Sequence, residues 1–268
     1  MTGPRMTLRC AAATHPGLRR PANEDTVLAA HPVFLVADGM GGHAGGELAS
    51  RAVISAFREL VGKTWVTVQD ITAAVQRAAD RVECLGCGDG APGSTLAGAA
   101  SARRAGIACW LLFNIGDSRI YLMRSGQLRR ISVDHSTRTI SAGPRTRGGL
   151  IRAFGAGLER PVADQWLTPA HAGGRILVCS DGLSDEVAGE YLEKVLRERS
   201  EPQEVVRRLV GKALAEGGRD NISVIVVDCL ETVVTEIDEL DDVVSLDEGE
   251  EETVSWIHED TIPDPEGN

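Results

Sequence analysis

No apolar run in this sequence comes near the roughly 18 residues that a membrane-crossing helix needs. The longest, Ile107 to Phe113 and Ile176 to Cys179, are short and strand-like. Residues 1–17 hold no continuous apolar core of the kind a secretion signal carries. Both absences lead us to expect a cytoplasmic protein with no membrane span. Cysteine is sparse as well, with six in 268 residues, too few for a disulfide framework. Cys109, Cys179 and Cys229 fall in or beside apolar runs and read as small core residues. Cys84 and Cys87 form a single C-x-x-C with no second pair and no suitably spaced histidines, which favours a plain loop over a zinc or redox site. Lys and Arg are missing altogether from residues 231–268, which hold 15 of the 39 acidic residues. Such a stretch, with Trp256 as its one aromatic, is expected to be a disordered acidic tail, and it argues against nucleic-acid binding there.

What remains, residues 1–230, carries a net charge of +4 without a strong basic stripe, and reads as one main domain. At 43% hydrophobic and 25% charged residues, the chain has enough apolar side chains for one large core. Apolar residues at helical spacing place helices over Glu47 to Val61, Val68 to Val82, Ser184 to Arg199 and Pro202 to Glu216. β-rich runs occur at Val33 to Ala37, Leu96 to Ala102, Ile107 to Asn114, Ile120 to Arg124, Gln127 to Ile131, Arg175 to Cys179 and Ile222 to Cys229. Helices arrive in pairs between groups of strands. That grouping predicts an α+β fold whose sheet faces are covered by helices.

Four short acidic stretches share a context: Asn23-Glu24-Asp25, Asp38-Gly39, Asp181-Gly182 and Asp220-Asn221 each adjoin an apolar, strand-like run. Taken singly, each is explained by turn chemistry or by local backbone hydrogen bonding. Together, at the strand ends of one core, they would repel one another unless cations neutralised them. All the candidate ligands are oxygens, so Mg²⁺ or Mn²⁺ fits better than zinc. Two such ions about 3.5–4 Å apart would acidify a shared water toward a pKa of roughly 7, giving a hydroxide suited to in-line attack on phosphorus.

The chain carries, in order, GLRRPANED (17–25), VADGMGGHAGGE (36–47), GSTL (93–96), NIGDSR (114–119), DHS (134–136), CSDGLSD (179–185) and GGRDNIS (217–223). In this order the motifs resemble the metal-dependent protein phosphatase family, the protein phosphatase 2C type, in its bacterial form, over about residues 8–229. The resemblance implies a four-layer α-β-β-α sandwich with two central antiparallel sheets flanked by helix pairs. It implies a serine/threonine protein phosphatase that works against protein kinases in signalling and uses two Mn²⁺ or Mg²⁺ ions. Asp38 would bridge the ions, the Gly39 carbonyl would bind one, and Asp181 with Asp220 the other. Glu24 and Asp25 would support the site through bound waters, and Arg20 would grip the phosphate. Asp117 and Asp185 match carboxylates that hold a third, weaker ion. Met40 stands where some members carry a histidine acid, so His43 and His135 are read as structural.

The sequence departs from the family pattern at residues 137–148, where a helical flap is expected and only a short stretch with three Arg, two Gly and one Pro stands. Phosphorylated proteins, a serine/threonine kinase among them, are the expected partners of a monomeric enzyme. The rival reading is a catalytically silent family member that binds phosphoproteins. Retention of Arg20, Asp38, Asp181 and Asp220 speaks against it.

Overall fold

Alternating side chains along the strands decide where the layers of this protein meet. A computed structural model describes residues 5–41, 44–86, 90–137, 149–198, 200–232 and 243–246. His43, Cys87, flap residues 138–148 and tail residues 233–242 and 247–268 lie outside the described residues. In chain order the elements are β1 (Met6–His15), β2 (Thr26–Ala30), β3 (Val33–Ala37), β4 (Gly39–Met40), α1 (Gly45–Phe57), α2 (Val68–Glu83), β5 (Gly93–Ser94), β6 (Leu96–Arg104), β7 (Ile107–Ile115), β8 (Arg119–Arg124) and β9 (Gln127–Arg130). They continue with β10 (Phe154–Gly155), β11 (Asp164–Pro169), β12 (Arg175–Cys179), α3 (Asp181–Ser184), α4 (Gly189–Arg197), α5 (Pro202–Ala215), β13 (Ile222–Thr232) and β14 (Val244–Ser245).

One sheet has the order β1-β13-β12-β8-β9 and the other β14-β11-β7-β6-β3-β2, with a small third sheet, β10-β5-β4, beside them. All the strand pairs are antiparallel, for example β1 with β13 and β6 with β7. Along β3, Val33, Leu35 and Ala37 pack with α1 and α2, while Phe34 and Val36 turn to the opposite sheet. Along β12, Ile176 and Val178 join that inter-sheet core, and Leu177 and Cys179 face α3, α4 and α5. Three apolar layers therefore separate four layers of secondary structure, the expected α-β-β-α sandwich. Phe57 of α1 stacks on Phe113 of β7 with centroids 5.7 Å apart, and Phe34 meets Trp110 edge-on at 6.3 Å. Cys109, Cys179 and Cys229 are buried, as their apolar surroundings predict. No helix among the described residues is long and apolar enough to cross a membrane.

β1, β11 and the helix expected from Ser184 differ from the sequence expectation. β1 runs through Cys10-Ala11-Ala12-Ala13, residues with little strand preference, and it forms because ten of its residues pair with β13. β11 contains Gln165 and Pro169 and is fixed by pairing with β7. The helix expected from Ser184 breaks into α3 and α4. Glu186 between them is held by the Arg219 guanidinium and backbone N–H, at 2.7–3.0 Å, and Ala188 takes an extended conformation before α4 begins.

The tail expectation is revised at residues 243–246. Ser245 pairs with Trp166 and Val244 with Leu167, so β14 extends the six-stranded sheet. The Leu246 N–H donates to the Gln165 carbonyl at 2.8 Å, and the Leu246 side chain packs against the core beneath α1 and α2. Replacing Leu246 by Asp in the full chain is expected to cost about 1 kcal/mol and to lower Tm by about 2–4 °C, read by calorimetry. At the start of α2, Thr67 and Asp70 form a reciprocal capping box, and Lys63 Nζ lies 2.6 Å from Asp70. Burial pushes the Asp70 carboxyl up, but the Lys63 and Thr67 hydrogen bonds outweigh it and hold it below its ordinary value. Its contribution is present above the unfolded-state pKa near 3.9 and disappears as pH falls through the lower folded value. Asp70→Asn should therefore lower Tm at pH 7 and leave it unchanged at the acid end of a pH series.

Candidate functional site

Strand ends deliver the acidic side chains. Asp25 immediately precedes β2, Asp38 follows β3, Asp117 follows β7, Asp181 follows β12 and Asp220 precedes β13. Because these strands belong to both sheets, the carboxylates converge on one edge of the sandwich. Removal from water and the negative charges of Asp25, Asp181 and Asp117 push the Asp38 carboxyl well above its ordinary value. Asp25 is 6% exposed, and burial raises it to about 6 despite opposing hydrogen bonds from Ser223 and Ser180, with Asp181 adding repulsion. Four of the acidic residues singled out in the sequence thus sense one another.

A layer of hydroxyls and one amide holds these carboxylates in place, and the sequence reading assigned it no role. Ser180 Oγ donates to Asp25 Oδ2 at 2.8 Å and accepts from the Ser223 N–H at 3.0 Å. Thr95 grips Asp38 twice: its Oγ1 accepts the Asp38 N–H at 3.1 Å, and its own N–H donates to the Asp38 carbonyl at 2.9 Å. Thr95 Oγ1 also meets Ser118 Oγ at 2.8 Å, which ties the Asp38 turn to the turn containing Asp117. Asn221 donates to the carbonyls of Pro16 and Ala22 and accepts from the Glu24 N–H, so one amide joins the 16–24 loop to the start of β13. Ser180, Ser118 and Asn221 stand next to an Asp in the motifs, yet that adjacency does not say which turn each one reaches, and Thr95 meets Asp38 across 57 residues of chain.

The other expected residues fall around this cluster. Gly39 has no room for a Cβ, which would lie 2.1 Å from the Gly46 carbonyl oxygen and 2.6 Å from that of Glu24. The Glu24 carboxyl rests against Gly46 in the first turn of α1, where the helix dipole favours a negative charge. Arg20 forms a two-pronged pair with Asp220, with Nε at 2.7 Å from Oδ1 and Nη2 at 2.9 Å from Oδ2. The arginine expected to hold phosphate therefore stands beside a carboxylate expected to hold metal. Asp185 is exposed at the rim, and its backbone N–H bonds the Asp181 carbonyl at 2.8 Å.

The donor set suits hard divalent cations. It is all oxygen, and the buried Asp25 Oδ1 accepts no hydrogen bond among the described residues. The raised Asp25 and Asp38 show crowded negative charge that a dication would relieve. Among the described residues no three His, Cys, Asp or Glu side chains are already gathered about a single point as a metal-holding group. Candidates for holding cations are Asp38, Asp181 and Asp220, with Asp25, Glu24 and the Gly39 carbonyl beside them and Asp117 and Asp185 at the rim.

Known proteins resemble this chain in sequence and fold. The sequence profile of the family described as Protein phosphatase 2C matches residues 22–216. The serine/threonine protein phosphatase PstP of Mycobacterium tuberculosis is 35% identical over 84% of this chain, which spans only 46% of that protein's length. The serine/threonine phosphatase stp of Listeria monocytogenes is 31% identical over 74% of this chain and 84% of its own. The crystal structure of the PstP catalytic domain in complex with two manganese ions superposes with a TM-score of 0.71 at 35% identity, covering 84% of this chain and 99% of that one. On the extent of the profile match and the identity to these relatives, the chain belongs to the protein phosphatase 2C family.

Proposed function

We propose that this chain is a metal-dependent serine/threonine protein phosphatase. The observation that carries the reading is the convergence of Asp25, Asp38, Asp117 and Asp181 from four strand ends, with Arg20 at the same edge. Family membership and the manganese in the PstP catalytic domain support it. In this reading Asp38, the Gly39 carbonyl, Asp181 and Asp220 would hold two Mn²⁺ or Mg²⁺ ions, Glu24 and Asp25 would support the site through bound waters, and Asp117 and Asp185 would serve a third, weaker ion.

When bound, the dications would supply an acidified water and offset the phosphoryl charge. The chain's own residues do the rest. Thr95 holds the Asp38 backbone from both sides, and Ser180 fixes one oxygen of Asp25, the other accepting no hydrogen bond among the described residues. Arg20 presents a planar fork that two phosphoryl oxygens can occupy, and Asp220 sets the plane of that fork. In the net reaction an oxygen from water joins phosphorus, the bond from phosphorus to the serine or threonine oxygen breaks, and that oxygen takes up a proton. The substrates in this reading are phosphorylated proteins of the cytoplasm, a serine/threonine kinase among them, and the enzyme works as a monomer.

Phosphate release from a phosphothreonine peptide tests the reading. The wild type should turn over with Mn²⁺ and stop on chelation, and Asp38→Ala should fall to the level seen without metal. Equal turnover by the mutant, or turnover indifferent to metal, would overturn it. Mn²⁺ should also raise the Tm of the wild type and not that of Asp38→Ala, by linkage of binding to folding. Arg20→Ala should lose about a hundredfold in kcat/KM, and Arg20→Lys should recover only part of it, because an ammonium cannot present the fork.

A further inference from the structure

His135 lies outside the acidic cluster, yet every polar atom it owns is engaged. Its N–H donates to the Gly116 carbonyl at 3.0 Å, and its carbonyl accepts the Ile151 N–H at 2.9 Å. Its ring Nδ1 accepts the Gly116 N–H at 3.0 Å, and Nε2 lies 2.9 Å from Asp164 Oδ2. One residue, 6% exposed, therefore joins the turn after β7, the start of β11 and the chain just past the flap. The backbone and ring of His135 hold Gly116 from both sides, and Gly116 is the residue before Asp117.

The chemistry fixes the state of the ring. An amide N–H can only donate, so Nδ1 must carry a lone pair, and the hydrogen of the neutral ring sits on Nε2, where Asp164 accepts it. Asp164 is in turn held by Arg152, whose Nη1 bonds Asp164 Oδ1 and stands 3.2 Å from Nε2. With Nε2 protonated, Arg152 is a partner of the carboxylate and not of the ring. Gly116 itself is constrained: its φ is +103°, and a Cβ there would lie 2.6 Å from Thr95 Cγ2. Asn114 Nδ2 adds a third grip, donating to the Gly116 carbonyl at 3.1 Å. Gly116 is thus pressed on Thr95, which holds Asp38, and clamped from the other side by His135.

We propose that His135, oriented by Asp164 and Arg152, is a positioning residue that sets the Gly116–Asp117 turn and thereby the place of the Asp117 carboxylate relative to Asp38. The proposal rests on the reading of Asp117 as a ligand of the weakest-bound cation, and it adds a role for a histidine that the sequence reading left as structural. In this reading neither His135 nor Asp164 is a ligand of substrate or metal. They act through the backbone of Gly116. Outer partners of ligand residues commonly change metal affinity by about 10–100-fold when removed.

The test uses the full chain with His135→Gln, His135→Leu and Asp117→Asn. In metal-free wild type, ¹⁵N NMR of the histidine ring should show hydrogen on Nε2 and none on Nδ1, and the Gly116 amide should exchange slowly. An Nδ1–H ring in the wild type overturns the proposal before any mutant is made. Gln can accept from Gly116 with its oxygen and donate to Asp164 with its nitrogen, so His135→Gln should keep Gly116 protected. His135→Leu should speed its exchange at least about tenfold. In Mn²⁺ titrations by calorimetry, His135→Leu should weaken the weakest site about tenfold, with His135→Gln close to wild type and the KM for phosphopeptide at saturating Mn²⁺ unchanged. Wild-type Mn²⁺ affinity in His135→Leu, even with a lowered Tm, would leave the residue with a structural role only and refute the proposal. An unchanged titration in Asp117→Asn would instead refute the assignment of Asp117 as a ligand, while the NMR results decide separately whether His135 holds the turn.

Discussion

Like charges gathered at one edge of a protein repel, and the rest of this structure works to hold them there. Asp25, Asp38, Asp117 and Asp181 raise one another's energy, and burial adds to the cost. A flexible scaffold would relieve that strain by letting the loops splay. Here Asp38, Asp117 and Asp181 follow strands whose side chains are buried on both faces, so movement of these carboxylates would drag part of a close-packed core with it. Asp25 leads into the half-buried edge strand β2 and is held by Ser180. Ser180, Thr95 and Asn221 tie the turns to each other as well as to their own strands. The sandwich spends part of its packing energy on keeping negative charge concentrated, which is the condition under which divalent cations bind well.

Much of this was legible in the sequence, and the boundary between what was and was not has physical causes. The helices covering the sheets show a 3.6-residue apolar period, and strands such as β3 and β12 are short continuous apolar runs, so both announce themselves locally. β1 does not, since Ala and Cys have no strong strand preference and its pairing with β13 joins residues more than 200 positions apart in the chain. The break between α3 and α4 was equally hidden, because it depends on Glu186 meeting Arg219, 33 residues away. Among site residues, the aspartates were readable because repeated Asp beside apolar runs is unusual in combination. The hydroxyls of Ser180, Thr95 and Ser118 were not, since their importance comes from which turn they reach and not from their own surroundings in the chain.

Arg20 and Asp220 illustrate a second kind of illegibility. The family resemblance implies a separate role for each, and the fold places them in one two-pronged contact. In the proposed reading a grip on phosphate and a grip on metal would not be independent parts, because whatever orients Asp220 also orients the arginine. Chemistry at this edge is better viewed as one charged assembly with several handles, of which the 16–24 loop, held by Asn221, is the one facing outward.

The short strand β14 changes what counts as the folded unit. The family motifs end by residue 223, and an acidic tail is easily treated as an appendage to be trimmed. Yet Val244 and Ser245 pair along β11 at the margin of the six-stranded sheet. Cutting the chain after β13 would bare that margin, a row of N–H and C=O groups able to recruit a strand from another molecule. Residues 243–246 thus cover part of that margin, and a chain ending at β13 would present β11 as an edge strand.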